Sequence, residues 1–185
     1  MTARSPSAAV QALIRKLESI GQQLSHDERE ALMELPIRVE NVRTDQEVVR
    51  EGDRPLQCCL LVDGFMARYK FTDDGKRQIF AFHTPGDIPD SLSLQLRTMD
   101  HSLGTNTPCT VGFIPHEHMR ELFRQHPRLT DVFWRDTLID AAIFREWMIG
   151  IGRKSARARL AHLLCEMFMR LKAVGRRRTT PSRCP

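Results

Sequence analysis

Histidine and cysteine are the side chains that would bring metal or thiol chemistry to this chain. His116 and His118 stand two apart in His116-Glu117-His118-Met119-Arg120-Glu121-Leu122, a run that reads as a short solvated helix. A helix turns residues two apart to different faces. A strand would put them on one face, but no third ligand stands at a matching spacing, and His83 is alone. The five cysteines, at 58, 59, 109, 165 and 184, are odd in number and lack Cys-x-x-Cys spacing. They suit neither a disulfide framework nor a zinc site. Cys58 and Cys59 are neighbours, so a strand would send them to opposite faces as small, reduced residues. No nucleophile–base pair is visible, and the expectation is no catalytic residue, no metal and no cofactor.

Charge offers a different chemistry. The 185 residues carry a net +5, but Arg153 to Pro185 holds ten Lys/Arg against the single acid Glu166, so the preceding part is mildly acidic. Such asymmetry points to nucleic acid at the C-terminal end, through Arg153, Lys154, Arg157, Arg176, Arg177 and Arg178, or else to a solvated basic tail. No apolar run is long enough to span a bilayer and no secretory leader is evident, so the expected location is cytoplasmic.

These residues need elements to hold them. Gly52, Gly64, Gly75 and Gly86 fall at intervals of 12, 11 and 11, each beside an aspartate, with apolar runs such as Cys59-Leu60-Leu61-Val62 and Gln78-Ile79-Phe80-Ala81-Phe82 between them. Glycine takes positive φ without a Cβ clash, so the spacing predicts short strands joined by tight turns, in a β-sandwich or barrel. Ile37–Val42 and Met66–Phe71 alternate apolar and polar, and Thr110–Ile114 closes the series. Before the strands, Val10, Leu13, Ile14, Leu17 and Ile20 have helical spacing, and Gly21 suits a C-cap. Ser25 with Glu28 forms a capping box for a second helix closed by Pro36.

Four segments, Val49-Arg50-Glu51-Gly52-Asp53, Leu61-Val62-Asp63-Gly64, Asp74-Gly75-Lys76 and Pro85-Gly86-Asp87-Ile88, resemble in order and spacing the cyclic-nucleotide-binding β-roll of Crp/Fnr transcription regulators. The resemblance implies an α+β fold: a double-stranded β-helix or jelly roll with N-terminal helices over one end, a long C-terminal dimerisation helix, and the start of a winged helix-turn-helix domain. The expected units are 1–126 for the sensor roll, 127–152 for the dimer helix and hinge, and 153–185 for the beginning of a DNA-binding part with a basic tail. A cupin-type oxygenase shares the β architecture, but its paired-histidine motif does not occur within the roll. An iron–sulfur cluster of the kind some Fnr-type proteins hold near the N-terminus is not expected, since no cysteine precedes Cys58.

Relatives that bind cyclic nucleotides continue Pro-Gly-Asp with Gly-Glu-Leu and then Arg-Ser or Arg-Thr, where glutamate takes the ribose hydroxyl and arginine the phosphate. Here the corresponding residues are Asp90-Ser91-Leu92 and His101-Ser102. Serine brings no charge, a largely neutral imidazole is a poor phosphate clamp, Pro89 lacks a backbone donor and Asp90 adds a negative charge. Gly86, Asp90, Ser91, Leu92, Arg97, His101 and Ser102 are the pocket candidates, with cAMP disfavoured, and another small effector or none in its place.

From Pro127 the pattern turns helical. Trp134, Thr137, Ala141, Phe144, Met148 and Ile151 step by three and four, a short heptad seam. The seam packs either on its own roll or on a second copy. The resemblance implies a homodimer, with Trp134, Ala141, Phe144, Met148 and Ile151 at the interface. Gly150 and Gly152 read as a hinge, and Ser155 as the N-cap of a further helix, Ala156 to about Val174, whose Leu160, Leu163, Leu164, Met167, Phe168 and Leu171 form an apolar face. After Gly175 no apolar periodicity follows, and the helix-turn-helix pattern is expected to be truncated. The function expected is a Crp/Fnr-type regulator by lineage, insensitive to cAMP and without specific DNA readout in this chain. The alternative is a dimeric effector-sensing or protein-interaction module that binds no DNA.

Overall fold

The computed structural model describes residues 5–21 and 23–175. Arg176, Arg177, Arg178 and Cys184 lie outside them. Helix α1, Pro6–Ser19, begins where Ser5 accepts a hydrogen bond from the Ala8 N–H (3.3 Å) and Pro6 occupies the first turn. Its buried face is Ala9, Val10, Leu13, Ile14 and Leu17, with Lys16 buried beside them. Helix α2, His26–Met33, has the expected capping box: the Glu28 N–H donates to Ser25 Oγ and the Ser25 N–H to Glu28 (2.7 Å).

Seven strands follow: β1 Arg38–Val42, β2 Glu47–Val49, β3 Gln57–Asp63, β4 Met66–Phe71, β5 Arg77–His83, β6 Ser102–Thr105 and β7 Cys109–Pro115. They form two antiparallel sheets, ordered β1-β7-β3 and β2-β6-β4-β5. Strand alternation sorts β3 between two cores. Cys58, Leu60 and Val62 face α1 and α2, while Cys59 and Leu61 face the interior of the roll with Met66, Leu103 and Val111. The two neighbouring cysteines therefore point opposite ways, as the strand period requires.

Gly52, Gly64, Gly75 and Gly86 all have positive φ, between 76° and 98°. The Gly86 turn matters most. Its N–H donates to Leu61 O (2.7 Å), the Leu61 N–H donates to Asp87 O (2.9 Å), and a 3-10 turn, Ser91–Leu94, follows. The chain is thus stitched onto β3 directly under α1.

Helix α3, His116–Gln125, is more buried than its histidines suggest: His116, Met119 and Leu122 are inside, and His116 Nε2 bonds Ser93 Oγ (2.9 Å). His118 is exposed. Helix α4, Pro127–Arg153, corrects the expected hinge, for it runs unbroken through Gly150 and Gly152. Each glycine costs a helix only about 1 kcal/mol. That is offset locally by the Lys154 N–H bond to Gly150 O (3.1 Å), the Lys154–Glu146 ion pair (2.5 Å) and the packing of Trp147 on Phe82. The chain breaks instead at Lys154, which is extended (φ −96°, ψ 146°), and Ser155 caps α5, Ala156–Ala173, through the Ala158 N–H. Helix α5 turns back to lie against α1 and α4. Leu163, Met167 and Leu171 become half-buried, while Leu160, Leu164 and Phe168 stay exposed.

A Cβ at Gly86 would sit 2.7 Å from Ala12 O and 2.8 Å from Lys16 Cβ, whereas one at Gly75 would meet nothing within 4 Å. Gly75→Ala should therefore cost only the ~1 kcal/mol of an unfavourable left-handed residue. Gly86→Ala should cost at least ~3 kcal/mol by also displacing α1. Urea unfolding of the two variants checks the difference, and equal losses would mean that α1 does not rest on this turn.

Candidate effector cavity

The turn places Asp87 between α1 and α5. Its carboxylate accepts from the Thr84 N–H (2.8 Å), from Lys16 Nζ on α1 (2.5 Å) and from Arg170 on α5 (3.4 Å). Lys16 also faces Asp136 (3.4 Å), and Arg170 also pairs with Asp140 (3.5 Å) and Glu166 (3.0 Å). Arg68 on β4 pairs with Asp140 (3.4 Å) and donates to Pro89 O (2.7 Å). Burial by itself would raise Asp87, but Lys16, His83 and Arg170 outweigh it and hold the carboxyl well below the usual range. In turn Asp87 and Asp136 raise Lys16, and Asp87, Asp140 and Glu166 raise Arg170, each against its own burial.

Beside this cluster, between β4, β5, the 3-10 turn, α4 and α5, lies a cavity of about 510 Å³. Phe80, Phe144, Trp147 and Met148 supply its apolar wall, and Glu166 and Arg170 make α5 part of it. Phe80 meets the His101 ring edge-on (5.8 Å) and the Phe144 ring likewise (6.0 Å). The Trp147 indole donates to Glu166 (2.6 Å), which fixes α5 to α4 at the rim.

Five carboxylates line the cavity, those of Asp87, Asp100, Asp136, Asp140 and Glu166, against three cations, Arg68, Lys70 and Arg170. Each cation is already paired, Lys70 with Glu51 (2.7 Å). Two histidines add no charge. Burial, then Arg68, pulls His83 down to about 4, and the same causes lower His101. A phosphate entering here would meet surplus negative charge and compete for cations already paired.

A family model described as "Cyclic nucleotide-binding domain" matches residues 39–126, the stretch that contains the roll and α3. Residues 39–126 are thus similar to cyclic nucleotide-binding domains. Relatives that align over most of the chain are named as transcription regulators. The transcriptional activator Anr of Pseudomonas aeruginosa is 24% identical over 82% of this chain, and the fumarate and nitrate reduction regulatory protein of Vibrio cholerae is 25% identical over the same share. The chain spans 62% and 61% of their lengths. The solved structure of FixK2 from Bradyrhizobium japonicum is similar at 26% identity, with a TM-score of 0.67 over 74% of this chain and 68% of that one. The c-di-GMP-responsive regulator CLP of Xanthomonas campestris shares the fold at 16% identity and TM-score 0.64, over 77% and 72%.

The pocket candidates separate within the domain. Ser91, Leu92 and His101 line the cavity. Gly86 instead faces α1, Ser102 Oγ accepts from the Glu51 N–H (3.1 Å), and Arg97 is exposed at the surface, away from the cavity wall. Asp90 is buried behind the wall, where one oxygen accepts from the Cys59 N–H (2.8 Å) and the other has no hydrogen-bond partner among the described residues. The basic residues that line the cavity are Arg68, Lys70 and Arg170, none of which was a candidate. The only sequence hint is Arg68 within an otherwise apolar strand start, Met66-Ala67-Arg68-Tyr69. The seam of α4 also divides: Ala141, Phe144, Met148 and Ile151 border the cavity, while Trp134 is 63% exposed. Arg153 and Arg157 are exposed, and Lys154 is tied to Glu146.

Burial pushes the Asp90 carboxyl up to about 6 from 3.8, against the Cys59 bond and Arg68. A raised acid is held protonated in the native state more strongly than in the unfolded chain. Its contribution is therefore greatest below pH 3.8 and is lost as pH rises through 6. Asp90→Asn should stabilise the protein at pH 7.5 by roughly 1–3 kcal/mol, an advantage that shrinks as pH falls toward 4. His83 acts in the opposite sense. The unfolded imidazole takes a proton near 6.5 and the native one only near 4, so acidification across that window costs stability in both proteins alike. Urea titrations at the two pH values give the difference, and a uniform loss in Asp90→Asn would show that the carboxylate is needed ionised.

Proposed function

We propose that this chain is the sensor and dimer portion of a Crp/Fnr-type transcription regulator, and that its roll does not answer to cyclic nucleotides. The observation that carries the reading is the joining of a cyclic nucleotide-binding roll to a 27-residue helix, α4, whose apolar seam is only half used within the chain. Phe144 and Trp147 pack on β5, but Trp134, Leu138, Met148, Ile149 and Ile151 are each at least half exposed. Such a strip on one helix suits a second copy of the same helix. The resemblance to FixK2, and to relatives named as transcriptional activators, supports control of transcription as the use to which the dimer is put.

The cavity supports the second half of the reading. The positions that would hold a ribose and a phosphate are Ser91 and His101, and carboxylates outnumber cations on the walls. DNA contact, if made by Arg153 and Arg157, would be to phosphates and so salt-sensitive. A non-DNA-binding interaction module is a second reading, favoured by the exposed Leu160, Leu164 and Phe168 on α5, which offer a protein partner an apolar face.

Millimolar cAMP should leave the melting temperature unchanged, because a ligand that binds the native state must raise it. A rise of several degrees would overturn the insensitivity. Sedimentation should report a dimer for the unaltered chain and a monomer for Trp134→Glu/Met148→Glu. A native monomer would remove the regulator reading. Gel shift across a salt series then separates the two uses. Duplex binding at low salt that is lost as salt rises, without preference for one sequence, supports the sensor-dimer portion of a regulator, and no binding at any salt supports the interaction module.

A further inference from the structure

The carboxylates around the cavity are unequally compensated. Asp87 has Lys16 at 2.5 Å and Arg170 at 3.4 Å, and Asp140 lies between Arg68 (3.4 Å) and Arg170 (3.5 Å). Among the described residues Asp136 has only Lys16, at 3.4 Å, a cation held more closely by Asp87. Burial raises the Asp136 carboxyl, and Asp87 and Asp140 add to the rise, so that Lys16 offsets it only in part. This group can also be reached: the Asp136 side chain is 25% exposed, and of its two oxygens only Oδ1 is buried.

The exposed part of Asp136 belongs to the cavity wall. Asp136, Asp140, Phe144 and Trp147 follow one another on α4 at intervals of four, four and three, and all four line the cavity. One face of the helix thus carries two carboxylates and two aromatic rings inward. A carboxylate beside aromatic faces holds an organic cation in two ways, by a charge-assisted hydrogen bond and through the ring quadrupole. The cavity already holds one cation of the chain's own, the Arg170 guanidinium, whose side chain is 10% exposed beside Asp87, Asp140 and Glu166. His83 and His101, on the same wall, are held neutral by burial and by Arg68, so neither repels a cation. The volume of about 510 Å³ is that of a small-molecule site.

We propose that the cavity takes an organic cation, an ammonium group on a flat apolar body, with the ammonium on the Asp136 carboxylate and the body against Phe144 and Trp147. The proposal rests on the reading of the roll as a sensor and names the class of its effector.

Calorimetric titration of the unaltered protein with four probes separates the parts of the claim: tryptamine, tryptophol, indole-3-propionate and methylammonium. Tryptamine should bind at low-millimolar concentration. Tryptophol, which has a hydroxyl in place of the ammonium, should bind about tenfold more weakly or worse, the usual loss of a hydrogen bond between charged groups. Methylammonium lacks the flat body and indole-3-propionate carries the opposite charge, and neither should bind. In Asp136→Asn tryptamine should fall to the affinity of tryptophol, while tryptophol itself binds as before, which shows the cavity intact. Equal affinities of tryptamine and tryptophol in the unaltered protein would overturn the cation, a comparison that needs no variant to fold. Undiminished tryptamine binding in Asp136→Asn would overturn the role of Asp136. Preferred binding of indole-3-propionate would overturn the charge class, and methylammonium binding as tightly as tryptamine would overturn the apolar body. Failure of tryptamine to bind would overturn the ligand class, and the sensor-dimer reading would still stand or fall by sedimentation.

Discussion

An ionised carboxylate inside a protein must be surrounded by its own counter-charges, and Asp87 is the group on which this molecule's C-terminal half depends. It sits in the turn between β5 and the 3-10 segment, and it draws Lys16 from α1 and Arg170 from α5 into one buried cluster. Removing one member of such a cluster strands the charge of another, so the position of each of the three elements depends on the other two. The close fit of Gly86 under α1 belongs to the same joint: only a residue without a Cβ lets Lys16 come down onto Asp87.

From that joint the properties of the cavity follow. Helix α5 is one of its walls because Arg170 is anchored at its base and Glu166 is bonded to Trp147 at its rim. The cations that might have met a phosphate are consumed in holding the helices. What remains is an aromatic wall, two neutral histidines and excess carboxylate. The departures from the cyclic-nucleotide pattern at Ser91 and His101 are thus matched by a reorganisation of charge around them.

Most of the fold was legible in the sequence because its determinants are local. A tight turn needs positive φ, and Gly52, Gly64, Gly75 and Gly86 declare it. A helix start needs an acceptor for free N–H groups, and Ser25 with Glu28, and Ser155, supply it. The hinge was misread because two glycines weaken a helix without deciding its end. The end was decided by an extended Lys154 and the new cap. The cavity chemistry was only half legible. His101 and Ser91 follow from the pattern of the cassette, but Arg170 meets Asp87 across 83 residues of sequence, and no local periodicity announces such a pair. Lys16 did carry a signal, for a charge on the helix face shared by Leu13 and Leu17 must find a buried partner. Arg97 is near the cassette in sequence but lies at the surface.

Hydrogen exchange of α5 in Arg170→Gln, compared with the unaltered chain, tests the central claim most directly. The account predicts that amides of residues 156–173 exchange faster while those of β3 and β7 keep their protection, because the substitution removes an anchor and leaves the cores of the roll intact. Unchanged protection of α5 would contradict it, since the helix would then be held by its apolar contacts and not by the charge cluster at Asp87.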